Sequence, residues 1–187
     1  MFLAIAVLLS SAVAFGGSTG DNGASKFRWD LVKFVPPNNI HPGGVSSALA
    51  QDNSTITLTG TGTFVVPATG GPSSAVTGGG ILTITDPSGT QTGSGNYTVE
   101  RLVRFDERPG APLMGVNDYI GNVDDQRGGL VFLTIAFDDG THGVLVVSCN
   151  LGGQHINFEG ITASKGSVYY WNHGNNPNLL HVIKGED

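Results

Sequence analysis

The sequence predicts an all-β domain, a single antiparallel β-barrel of about eight to nine strands, with a β-sandwich as the alternative. Three observations predict it. Apolar and polar residues alternate at period two along most of the chain. Turn signals separate the alternating runs at short intervals. Glycine is dense, 29 of 187 residues, and several glycines fall inside the alternating runs. That density breaks a coiled coil, and the irregular spacing excludes a collagen rod. With 39% apolar and 13% charged residues, charge-rich disorder is excluded as well.

The chain opens on an apolar run, Phe2 to Leu9, followed by small residues. Ala12-Val13-Ala14 fits a signal-peptide cleavage site before Phe15. No Lys or Arg precedes the run, so a buried first strand is the competing reading. The run is shorter than the roughly 20 apolar residues that cross a bilayer. Residues 1–14 are therefore expected to be a signal peptide and 15–25 a flexible spacer. Residues 26–187 form the single domain. The expected location is secreted, extracellular or periplasmic, with no membrane span after leader removal.

The strands follow in order. Phe27, Trp29 and Leu31 alternate with Arg28 and Asp30. From Ser54 to Val66, Ile56, Leu58, Phe64 and Val66 share one parity with Gly60 and Gly62, and threonines fill the other. Ala75 to Thr85 is the next strand, closed by the turn Asp86-Pro87-Ser88-Gly89. A long strand runs from Thr90 to Phe105, with Tyr97, Val99, Val103 and Phe105 on one parity. Arg101 breaks that set. The glycines within these strands suggest tight curvature, bulges or close backbone approach. This Gly-rich pattern from Ile56 to Phe105, with Tyr97 near its end, resembles small β-barrel families such as the allene oxide cyclase and dirigent barrels. The likeness is one of composition and carries no residue roles.

Asp106 to Gly129 reads as a connection with one short helical turn near Asn117 to Ile120. Leu130 to Phe137 and Gly143 to Cys149 form a hairpin around Asp138-Asp139-Gly140-Thr141-His142. Strands at His155 to Ala163, Ser167 to Trp171 and Leu179 to Ile183 complete the set. The hairpin is apolar on both parities, and a strand in a solvated sheet is polar on one. Something is therefore expected to cover the second face: the N-terminal arm, the 106–129 connection, a ligand or another subunit. A homo-oligomer through the 130–149 hairpin follows from the last of these.

Several function classes are excluded or left without a motif. The net charge is −6 and the nine Lys and Arg are scattered, so no nucleic-acid partner is expected. No phosphate loop, nucleophile elbow or clustered metal ligands occur, so no cofactor and no metal site are expected. The oxygen-rich stretch Asn117, Asp118, Asn122, Asp124 and Asp125 lacks the calcium-loop order of ligands. Cys149 is the single cysteine, excludes an intrachain disulfide, and reads as a buried apolar side chain at a strand end.

Candidate functional residues form four groups. His155, Asn157 and Glu159 would share one strand face, with Glu159 as acid or base and His155 its partner. Arg101 would join them at a barrel mouth, or else form rim ion pairs with Arg104, Asp106, Glu107 and Arg108. Tyr169 and Trp171, with Asn157, would make an aromatic platform for a small-molecule or glycan ligand. Asn53-Ser54-Thr55 and Asn96-Tyr97-Thr98 are glycosylation acceptors if the source is eukaryotic. The function expected from this set is a secreted noncatalytic binding or surface-structural module of unknown ligand. The alternatives are a cofactor-independent small-molecule enzyme and a self-assembling extracellular structural protein.

Overall fold

The computed structural model describes residues 23–108, 110–151 and 158–184. The protein is all-β: thirteen strands form one sheet, and a 3-10 turn at Val123–Asp125 is the one helical element among the described residues. The first half holds β1 (Ser25–Val35), β2 (Asn39–Pro42), β3 (Ser46–Ala50), β4 (Thr55–Leu58), β5 (Thr61–Val66) and β6 (Val76–Thr85). Then come β7 (Gln91–Arg108), β8 (Asn117–Asp118), β9 (Gln126–Phe137) and β10 (His142–Cys149). Last are β11 (Gly160–Lys165), β12 (Val168–His173) and β13 (Asn178–Ile183).

Thirteen strands exceed the eight or nine expected, for identifiable reasons. The run Thr55–Val66 is one line opposite β6, interrupted at Thr59 and Gly60, and so counts as two strands. The interruption lets its two halves take different neighbours, β3 beside β4 and β1 beside β5. β2 and β8 lie in Pro- and Asn-rich stretches and β3 is a five-residue Ser/Ala/Leu run, all too short for a periodic signal. In the 106–129 connection, the expected helical turn at 117–120 is instead β8, and the 3-10 turn follows it.

The pairings run in two circuits. One passes from β4 through β6, β7, β9, β10, β11, β12 and β3 back to β4. The other passes from β5 through β6, β7, β9, β13 and β1 back to β5. Both share β6, β7 and β9, and one hydrophobic cluster fills the space they face. Trp29, Tyr97, Phe64, Leu82, Leu133 and Leu145 are among its fully buried members. Phe27, Phe64 and Phe105 add a three-ring stack, with centroids 4.8 to 5.3 Å apart.

Two of the strand glycines explain themselves here. A Cβ at Gly60 would overlap the Tyr97 hydroxyl and the Trp29 ring, and one at Gly62 the backbone of Thr77 and the Trp29 indole nitrogen. These positions are bare so that two large rings can lie against the backbone. Tyr97 also donates its hydroxyl to the carbonyl of Thr59 at 2.8 Å, satisfying its buried polar end.

β7 carries two register shifts within a few residues, between Val99 and Arg101 and between Leu102 and Arg104. Each inserts an extra residue and reverses the inward–outward alternation. Leu102 thereby becomes fully buried while Arg101 and Val103 are exposed. This is why Arg101 breaks the period-two pattern, and why Val103 is exposed although it shares a sequence parity with Tyr97 and Phe105.

Candidate functional site

The hairpin of β9 and β10 has one face in the core and one outside. Val131, Leu133, Ile135, Leu145, Val147 and Cys149 point inward and are buried. Phe132, Thr134, Val144 and Val146 point outward. Among the described residues no strand or loop covers that outward face, and Val144 is 39% exposed. Coverage by the 106–129 connection, expected as one option, is not what occurs: that segment packs elsewhere.

Neighbouring strands extend the face sideways. Arg104 stands opposite Phe132, which stands opposite Val146, and Val146 opposite Thr162. A parallel row runs Arg101, Thr134 and Val144; the Val144 N–H donates to Ser164 Oγ at 3.0 Å, and Ser164 pairs with Tyr169. On β12, Tyr170 turns inward while Tyr169 and Trp171 turn out, 69% and 62% exposed. Trp171 follows inward-facing Tyr170 in ordinary alternation and is the extra residue of a bulge between Tyr170 and Asn172.

Two open grooves meet at these rings. An apolar one of about 310 Å³ is lined by Phe132, Val144, Val146, Thr162, Tyr169 and Trp171. A more polar one of about 460 Å³ is lined by Gln51, Asp52, Ser167, Tyr169 and Trp171. The face thus has three zones: cationic at Arg101 and Arg104, apolar in the middle, aromatic at β12. Arg104 lies 5.3 Å over the Phe132 ring and pairs with Asp106. Arg101 is exposed and has no ion-pair partner among the described residues.

The other candidates fall apart in space or lie outside view. His155 and Asn157 lie outside the described residues. β11 begins at Gly160, so Glu159 precedes the strand rather than standing in a row on it. Its two carboxylate oxygens accept backbone N–H groups from Asn150 at 2.6 Å and Asn178 at 2.7 Å. Burial raises the Glu159 carboxyl to about 7, against the lowering effect of those two donors. Arg101 is on the outer face of β7, and neither it nor Glu159 lines the two grooves. Burial likewise pushes the Cys149 thiol up, which suits a packing residue and not a nucleophile.

Asn53 is exposed at a turn with φ of 63°. Asn96 is exposed on β7 and donates its amide to Asp138 at 3.2 Å. Most of the oxygen-rich stretch is engaged within the chain. Asn122 caps the 3-10 turn, Asp125 pairs with Lys184, and Asp118 binds Gln126 and His181, each at 2.8 Å. No group of three or more metal-ligating side chains occurs among the described residues, and no helix there is long and apolar enough to cross a membrane.

Comparison with known proteins finds no matching family model, no matching curated protein and no matching solved structure. The resemblance to small barrel families therefore lends no residue roles, and the site rests on its own geometry. The sequence singled out Tyr169, Trp171 and the hairpin separately. It missed that they form one surface, because strands β11 and β12 place them together through pairings that no local pattern encodes. It also missed the Asp118–His181 pair, whose members are 63 positions apart.

Proposed function

We propose that this protein is a secreted, extracellular or periplasmic, noncatalytic binding module, built as a closed and tapered β-barrel whose contact surface is its outer wall from β9 to β12. The barrel reading is supported by the two pairing circuits, eight strands around one end and six around the other, over one shared core. The observation that carries the function is the exposed aromatic pair, Tyr169 and Trp171, beside an apolar groove that no described segment covers. Large exposed apolar patches on a soluble domain mark contact sites. A filled interior favours binding outside over chemistry inside, since Trp29, Tyr97 and Phe64 occupy the space a substrate would need. The polar residues Gln51, Asp52 and Ser167 beside the rings suit a glycan or other small polar ligand.

Retention on insoluble cellulose and chitin, together with sedimentation of the free protein, tests this reading. The chain should bind one of these surfaces or itself, and the double variant Tyr169→Ser, Trp171→Ser should lose that binding while keeping its fold. A folded wild-type chain that neither binds nor associates overturns it.

A second reading, a cofactor-independent enzyme, draws on one observation: the Glu159 carboxyl at about 7 is poised for acid–base work near neutral pH. Its two backbone donors favour a structural clamp instead.

A further inference from the structure

We propose that Tyr169 and Trp171 bind a cationic amphiphile, with its alkylammonium head in the groove beside Asp52 and its hydrocarbon tail in the apolar groove over β9 to β11. The inference rests on the binding-module reading and names the ligand class of that site. Both rings line both grooves, so a single ligand can lie against the two rings and reach into each.

The two grooves differ in chemistry. The first lies at the ends of two neighbouring strands. Ala50, the last residue of β3, stands opposite Tyr170 on β12, so the turn after β3 lies beside the turn before β12. Gln51, Asp52 and Ser167 bring polar atoms there, and Asp52 is the one charged residue among the described residues that line it. The second groove is walled by Phe132, Val144, Val146 and Thr162, and none of its described lining residues is charged.

Charge selects the head. Asp52 Oδ1 accepts the Ser54 N–H at 2.9 Å and the Ser54 hydroxyl at 2.7 Å. These bonds hold its carboxyl below the usual carboxylate range, so it is an anion at neutral pH. The turn that carries it is closed by the Ala50 N–H on the Ser54 carbonyl at 2.8 Å. An anion beside two exposed aromatic rings attracts an organic cation twice, once through the charge and once through the ring faces. A quaternary ammonium also brings methyl groups to the rings and needs no hydrogen-bond acceptor. No described Lys or Arg lines either groove, so a phosphate in the ligand would find no cation there. A plainly cationic head is therefore favoured over a zwitterionic one. The tail gains affinity by leaving water for the apolar groove.

Calorimetric titration with tetramethylammonium and with octyltrimethylammonium, below its micelle concentration, tests the proposal. Both should saturate one site, the octyl compound about tenfold more tightly. Emission should change in parallel, because Trp29 is fully buried and Trp171 is 62% exposed. Octylphosphocholine, which adds a phosphate to a similar head and tail, should bind about fivefold more weakly than octyltrimethylammonium. Asp52→Asn should weaken both ammonium probes by about fivefold, and its amide oxygen still accepts from Ser54, so the turn is kept. Asp124→Asn removes the same charge from an exposed side chain at the 3-10 turn and should leave both unchanged.

Absence of saturable binding overturns the proposal. So do equal losses in Asp52→Asn and Asp124→Asn, which would mean general attraction to an acidic chain. An octyl tail without effect, or octylphosphocholine bound as tightly as octyltrimethylammonium, also overturns it. A chain that ignores both ammonium probes but is retained on cellulose or chitin through Tyr169 and Trp171 keeps the binding-module reading and loses this ligand. A chain that binds none of these and does not self-associate loses both.

Discussion

Two outer faces of this sheet have had opposite fates. On β1 and β13 both parities are buried: Trp29, Leu31 and Leu180 face the core, and Asp30, Leu179 and His181 face outward yet are no more than 3% exposed. The chain covers that face itself. Leu113, Val116 and Ile120 pack against the core cluster from the 110–125 segment, and His41 stacks on Tyr119 with centroids 4.4 Å apart. On β9 to β12 the outward side chains are as apolar, but no described segment lies on them. The covered face is held by polar groups aimed at one carboxylate. The face that no described segment covers has apolar and aromatic side chains. An apolar parity in a strand thus marks a face that needs a cover without saying whether the cover is part of the chain.

The largest effect should come from the pin of the covered face. Asp118 accepts His181 Nε2 and Gln126 Nε2, and the backbone N–H groups of Ile120 and Gly121. Burial alone would raise its carboxyl; these donors outweigh burial and hold it below the usual carboxylate range. Asp118→Ala strands all four donors. Chemical denaturation should show a loss of about 3–5 kcal/mol. Hydrogen exchange should show the 110–125 segment opening before the rest. Uniform exchange across the molecule would mean that the segment is integral to the fold and not a cover.

Next is the joint between the two regions. Glu159 ties Asn150, at the end of β10, to Asn178, at the start of β13, and Asn178 Nδ2 in turn donates to the carbonyls of Ser148 and Gly160. The folded carboxyl titrates at about 7 against an ordinary 4.5, so the folded state binds more protons between those values. Stability should therefore be highest below about pH 4.5 with respect to this group and should fall as pH rises to about 7. The total is on the order of 3 kcal/mol. Glu159→Gln should remove that slope in a pH series of thermal melts; an unchanged slope assigns it to another group.

Much of this was legible in the sequence, and the limits are physical. Period-two alternation marked the long strands, because one side of each faces a common core. The apolar hairpin was visible for the same reason. What local pattern could not encode was pairing at a distance: the fork at Gly60, where one strand changes neighbours, and the contact of Asp118 with His181. Arg101 shows the failure most clearly. The bulge between Val99 and Arg101 shifts its parity, and a bulge depends on the opposing strand as much as on its own residues. The candidate site was half legible. Tyr169 and Trp171 were visible as an aromatic run, but the residues that surround them come from several other strands and turns.

A smaller effect tests the interior that both regions share. Gly60→Ala would push a methyl group into Trp29 and Tyr97. Overpacking of this kind costs about 2 kcal/mol. The Tyr97 hydroxyl bond to Thr59 should weaken with it, visible as a change in near-ultraviolet circular dichroism. A neutral result would mean that the rings can slide, and that the close approach is a consequence of the glycine and not its reason.

The smallest effect on stability should come from the bare face, and that is what makes it informative. Trp171→Ser removes a side chain that is 62% exposed, at a bulge, from a groove that no described segment covers. Surface substitutions of this kind change stability by no more than about 0.5 kcal/mol. Had the ring served the fold, its loss would cost several times more, as loss of a buried tryptophan does. The expected outcome is therefore an unchanged denaturation midpoint together with lost binding or self-association. A midpoint that drops as far as for Asp118→Ala would place Trp171 in the folded framework. The contrast between a face covered for stability and a face left open for contact would then fail.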